Sequence, residues 1–91
     1  MKFLVKVRVN EATLKEFGEA LQKNSLDRSC IKGETFCLED DPAIGFSVWE
    51  AENKEEFDIR FKNWKEFYSE TDVREIISPN EAMIKLVSSQ Q

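Results

Sequence analysis

An α+β sandwich, one antiparallel sheet with helices packed on one face, is the fold class that this 91-residue sequence predicts. Three observations predict it: a period-two run opens the chain, two amphipathic helical stretches follow at wide spacing, and further strand-like runs lie between and after them. The composition, 41% apolar and 34% charged, is that of one globular domain over residues 1–91. A chain this short buries only about 60–65% of the surface its unfolded form exposes, so burial against a partner chain would reinforce a thin core.

Phe3, Val5, Val7 and Val9 alternate with Lys2, Leu4, Lys6 and Arg8, the pattern of a half-buried first strand. Asn10 offers a side-chain oxygen to the first free amides of a helix. Leu14, Phe17 and Leu21 then recur at i, i+3 and i+7, which predicts a helix to about Asn24. Gly18 inside it costs roughly 1 kcal/mol relative to alanine and suggests close packing of that face. The pattern is weak from Ser25 to Gly33, and a second strand becomes readable over 34–38, with Phe36 and Leu38 on one face. Residues 39–45 form a turn, in which Pro42 fixes φ and Gly45 frees it. A third strand covers 46–51. Asn53 and Glu56 then have the spacing of a capping box. Phe57, Phe61, Trp64 and Tyr68 fall at i, i+4, i+7 and i+11, an aromatic stripe that reads as core and carries the second helix through Tyr68. A fourth strand spans 73–77 and stops at Ser78-Pro79. A short terminal helix begins at Pro79 or Asn80 with Ala82, Met83, Leu86 and Val87 on one side, and the tail 88–91 is expected to be loose. The order β-α-β-β-α-β with an added C-terminal helix is that of a ferredoxin-like sandwich.

Several classes of function are excluded or disfavoured. The sequence contains no histidine, which removes Ser-His-Asp and Cys-His nucleophiles, imidazole general bases, and His-ligated zinc or haem. No phosphate-cradling glycine loop or calcium loop is present, so neither a cofactor nor a metal is expected. A net charge of −5 disfavours nucleic acid, whose affinity rests on a basic face. No apolar run reaches the length of a membrane span, and the charges alternating from Lys2 to Arg8 do not suit a secretion signal, so a cytoplasmic protein is expected. Cys30 and Cys37 form no CxxC pair and are expected to be reduced, small, and buried or half-buried.

With Phe3, Val5, Val7 and Val9 under the helices, Leu4, Lys6 and Arg8 point to the opposite, open face. The same parity sends Phe46 and Val48 under the helices and Ser47 and Trp49 to the open face, while Val73, Glu75 and Ile77 can take either side. An indole on an uncovered sheet face calls for a cover, and the readiest cover is the same face of a second copy.

Read together, Phe3-Leu4-Val5-Lys6-Val7, the run Gly45-Phe46-Ser47-Val48-Trp49-Glu50-Ala51 leading into a helix at Asn53, and Val73 to Pro79 followed by Glu81-Ala82 resemble the dimeric α/β-barrel proteins. Within that group the chain is most similar to muconolactone isomerase-like chains, and to a small domain family whose last strand also ends in Ser-Pro. The resemblance covers nearly the whole length and implies two ferredoxin-like chains packed sheet to sheet as a homodimer. The activities it implies are those of isomerases or cofactor-free oxygenases. It carries over no active-site residue by motif.

Candidate residues follow from their chemistry. Lys6 and Arg8 suit the carboxylate of a small organic acid, which an arginine grips with two parallel hydrogen bonds; the competing reading is an ion pair with Glu50, Asp72 or Glu75. Trp49 can stack on a planar ligand or fill an interface core. Glu50 is the candidate general base, since a carboxylate drawn into an apolar pocket titrates nearer neutrality, and Tyr68, near the end of the second helix, is a candidate proton donor. The two functions these residues allow are a small-molecule enzyme and a non-catalytic dimeric module that senses a ligand or binds a protein.

Overall fold

The computed structural model describes residues 1–90. Its elements are β1 (Lys2–Val9), a 3-10 turn (Glu11–Thr13), α1 (Leu14–Gln22), β2 (Ile31–Cys37), β3 (Ile44–Glu50), α2 (Lys54–Lys65), β4 (Tyr68–Ile76) and α3 (Pro79–Ser88). The sheet has the order β2-β3-β1-β4, with β1 antiparallel to both its neighbours and β2 antiparallel to β3. This is the ferredoxin-like arrangement with a C-terminal helix, as the element order predicted. Of the expected loose tail, Ser88 ends α3, and Gln91 lies outside the described residues.

At the starts of the 3-10 turn, α2 and α3 a side chain supplies the missing acceptor, whereas Thr13 at the start of α1 makes no such bond. Asn10 Oδ1 accepts from the Ala12 amide at 3.0 Å, and Asn53 Oδ1 accepts from the Glu56 amide at 2.8 Å. α2 also follows the macrodipole, with Glu55 and Glu56 in its first turn and Lys62 and Lys65 in its last. α1 ends in a Schellman motif. Asn24 adopts φ 55°, its amide donates to Leu21 O at 3.2 Å, and the Ser25 amide donates to Ala20 O at 3.1 Å. Asparagine takes the position glycine usually holds, because its short polar side chain tolerates the left-handed region.

The core lies between the sheet and the helices. Phe3, Val5 and Trp49 from the strands meet Phe57, Phe61 and Trp64 from α2, with Leu26, Cys30 and Ala51 closing the edges. Trp49, 1% exposed, sits edge-on to Phe57, Phe61 and Trp64 at centroid separations of 5.5, 5.3 and 6.0 Å. Such aromatic pairs stabilise beyond their buried area.

The facing of β3 corrects the parity drawn from sequence. Phe3 pairs with Trp49, Val5 with Ser47 and Val7 with Gly45, and residues directly opposite share a face. Trp49 and Ser47 therefore lie under the helices, while Phe46 and Val48 join Leu4 and Lys6 on the open face. Periodicity tells which residues of one strand share a side, not which side goes inward. β3 is apolar at Ile44, Phe46 and Val48 as well as at Trp49, and seating the indole against three aromatic rings buries more than the alternative.

Four further differences have local causes. α2 stops at Lys65, so Tyr68 is the first residue of β4 rather than helical. Its ring nevertheless continues the aromatic row, with its centroid 6.0 Å from that of Phe61. β4 begins five residues before the predicted 73, because Ser69, Glu70, Thr71 and Asp72 lie on a solvated edge strand that needs no apolar run. Its Val73 and Glu75 share the helix side with their β1 partners, Val5 and Phe3. Gly18 has nothing within 4 Å of where a Cβ would stand, so the expected close packing at that site is absent. Cys37 is exposed rather than buried or half-buried, and both cysteines are free.

Candidate functional site

An apolar concavity lies on the helix side of the sheet, between α1 and the strands β2 and β3. None of the α1 residues is buried, and β2 breaks its register with β3 between Lys32 and Phe36 around Gly33, at φ 73°. The result is a cleft of about 220 Å³. A cavity of roughly 150 Å³ accepts a benzene ring, so the cleft suits a single ring with a few substituents.

Its walls are aromatic: Phe17 from α1, Trp49 from β3, and Phe61 and Trp64 from α2. The polar groups are few. Trp49 Nε1 donates to Ser47 Oγ at 2.9 Å, so the indole N–H is already engaged. The Tyr68 ring packs against Phe17 and Phe61 at 5.7 and 6.0 Å. Burial first, and neighbouring Cys37 second, push its hydroxyl up to about 12. At neutral pH the phenol is therefore a hydrogen-bond donor and not a base.

Arg28 stands over Trp64, 5.9 Å from the ring centroid, and also lines the cleft. Its turn is pinned to α2. Trp64 Nε1 donates to Asp27 O at 2.8 Å, and Arg60 Nη1 pairs with Asp27 Oδ2 at 3.0 Å. Hydrogen bonds from Ser29, side chain and then backbone, and from Arg60 hold the Asp27 carboxyl below its usual range. Asp27 is thus committed elsewhere, and among the described residues Arg28 pairs with no carboxylate.

The residues singled out from sequence divide between two sides of the sheet. Trp49 and Tyr68 meet in the cleft. Lys6 and Arg8 lie on the open face, around a more polar hollow of about 220 Å³ shared with Ile44, Thr71 and Asp72. Arg8 is engaged there: Nη2 and Nη1 donate to Asp41 at 2.9 and 3.4 Å, and Nε donates to Glu70 at 3.3 Å. These contacts, Asp41 foremost, raise its already high pKa. The ion pair is therefore real, but its partners are Asp41 and Glu70 instead of Glu50, Asp72 or Glu75. Glu50 is exposed at the end of β3 and does not line the cleft, so the apolar surroundings that would have made it a base are missing. Sequence reasoning missed Arg28, because the stretch around it has no periodicity. It also read Trp64 only as core.

No known sequence family matches the chain, and no curated protein does. Among solved structures it is similar to the 5-chloro-2-hydroxyhydroquinone dehydrochlorinase TftG of Burkholderia phenoliruptrix, in complex with 2,5-dihydroxybenzoquinone. The TM-score is 0.59 at 16% identity, over 89% of this chain and 98% of that one. An antibiotic biosynthesis monooxygenase aligns with TM-score 0.46 and 10% identity, over 85% of this chain and 98% of that one. The dehydrochlorinase likeness establishes a shared ferredoxin-like fold. No helix of the described chain is long and apolar enough to cross a membrane.

Proposed function

We propose that this protein binds a small, planar, one-ring organic acid or hydroxyquinone in the cleft between sheet and helices, and acts on it as an enzyme of isomerase or cofactor-free oxygenase type. The observation that carries the reading is the cleft itself: a lining of aromatic rings, one unpaired guanidinium, and one desolvated phenol. Such a site takes a flat ring by stacking, holds its acidic oxygen with Arg28, and offers the Tyr68 hydroxyl as a hydrogen-bond donor to a carbonyl oxygen of the ligand. The dehydrochlorinase of like fold is complexed with a hydroxylated quinone, which suits the same dimensions. Lys6 and Arg8 belong to the open face, where two copies pair sheet to sheet as a homodimer. Two free thiols accord with the reducing conditions of the cytoplasm.

Both tryptophans of the chain line the cleft, so their fluorescence reports occupancy directly. Titration with 2,5-dihydroxybenzoquinone should give saturable quenching. Arg28→Gln should weaken binding by about tenfold, roughly 1.4 kcal/mol, while Arg8→Gln leaves it unchanged. Quenching that never saturates, or a loss that follows Arg8 instead of Arg28, overturns the assignment.

A further inference from the structure

α3 carries an exposed apolar surface that the cleft does not use. It is a well-built helix: the Ser78 hydroxyl accepts from the Glu81 amide at 3.1 Å, and Pro79 opens its first turn. Yet it buries none of its residues and makes no extended contact with another element among the described residues. Met83, Ile84, Leu86 and Val87 are 60, 66, 60 and 52% exposed. At about 100° per residue, Ala82, Leu86, Met83, Val87 and Ile84 sweep an apolar arc of roughly 200°. A helix of 10 residues is marginal in water without tertiary packing, so this one needs a surface to lie on.

The dimensions say how much surface. The chain exposes 6917 Å², whereas a compact monomer of its mass exposes about 5,500 Å², leaving a surplus of roughly 1,400 Å². A standard interface removes about 800 Å² per partner, and obligate homodimers remove more. The radius of gyration, 15.3 Å, also exceeds the roughly 12 Å of a compact chain of this length. The longest axis is 52 Å against 31 Å for the next.

We propose that α3 is an exchange arm whose apolar side packs on a second copy of this chain, and reciprocally. The occupant is a second copy for two reasons. The surplus is of homodimer size, and the same chain carries another uncovered apolar surface, the open sheet face with Phe36, Phe46 and Val48, so one twofold pairing relieves both surfaces twice. α3 bears one acidic and one basic side chain, Glu81 and Lys85, and so adds no charge repulsion to the contact. The inference rests on the homodimer reading and extends that interface beyond the sheet.

The test combines sedimentation with photo-cross-linking of the full chain. The double variant Ile84→Glu, Val87→Glu should raise the dimer dissociation constant at least about tenfold, with the circular dichroism of the sheet retained. The photoreactive variant Met83→benzoylphenylalanine should yield a species with the mass of two chains. Cross-links confined to one chain, with dimerisation unchanged in the double variant, overturn the arm and leave the homodimer standing. A wild-type chain that sediments as a monomer at all concentrations overturns both.

Discussion

Tyr68 is the only tyrosine in the chain, so tyrosinate absorbance titrates the candidate site without interference. Burial disfavours the phenolate, and the folded pKa of about 12 lies above the unfolded value near 10. Keeping the phenol neutral therefore stabilises the fold fully below about pH 10, and that contribution is lost as the pH rises through about 12. Tyrosinate should appear with a midpoint near 12 while the circular dichroism is still native. A midpoint near 10 in folded protein would mean a solvated hydroxyl and a cleft unable to polarise a carbonyl. The aromatic row that holds Tyr68 was legible in the sequence, since residues 57, 61, 64 and 68 share one side of a helical projection. Its true position at the head of β4 was not, because a strand residue three places past a helix end can continue the same row. Trp49 was legible as a singular residue but placed on the wrong side, for want of any marker within β3 to orient it. Arg28 has no local signature at all; its meaning comes from Trp64, which is distant in sequence.

At the scale of single elements, α1 is the most loosely attached of the two sandwich helices. Its only packing anchor among the aromatic rings is Phe17, stacked on Phe67 at 5.1 Å and edge-on to Tyr68 at 5.7 Å. Leu14 and Leu21 remain 57 and 42% exposed. Gly18 weakens this helix further. Space is open around it and its φ lies outside the left-handed region, so alanine fits without strain. Gly18→Ala should stabilise the protein by about 0.5–1 kcal/mol, by restricting the unfolded chain and favouring the helix. Chemical denaturation measures it. A loss of stability would show that α1 is held against a surface that tolerates no Cβ there, as when a partner chain covers it. The capping residues Asn10 and Asn53 were readable from sequence because one side chain decides each start, whereas Ser78 was read only as the stop of the last strand and its capping role appears in the structure. The early start of β4 was not readable, since a charged edge strand looks like loop, whereas the end of α1 near Asn24 was.

For the whole molecule, the question is which forces govern association. The open face has an apolar middle: Leu4, Val48, Phe46 and Phe36 lie across β1, β3 and β2 in register. Lys6, Arg8, Asp72 and Arg74 surround it, with Arg8 and Arg74 already neutralised within the chain by Asp41 and Asp72. In the proposed sheet-to-sheet homodimer, two copies each carrying −5 would repel at long range, while the contact itself would be apolar and locally balanced. Screening acts on the long-range term, over about 8–10 Å at ordinary ionic strength. Raising the sodium chloride concentration should therefore tighten the dimer, whereas an interface held by intersubunit ion pairs would loosen. Val48→Lys offers the matching substitution. Val48 lies on the open side with its Cα partners Leu4 and Lys32, away from Trp49 and the cleft, so the variant should keep its fold and its ligand while losing the dimer. Because folding and association are coupled in a homodimer, the wild-type urea midpoint should rise with protein concentration and that of Val48→Lys should not. A wild-type midpoint independent of concentration would remove the paired sheets. The cleft would then have to work within one chain, as its lining residues, all drawn from a single copy, allow.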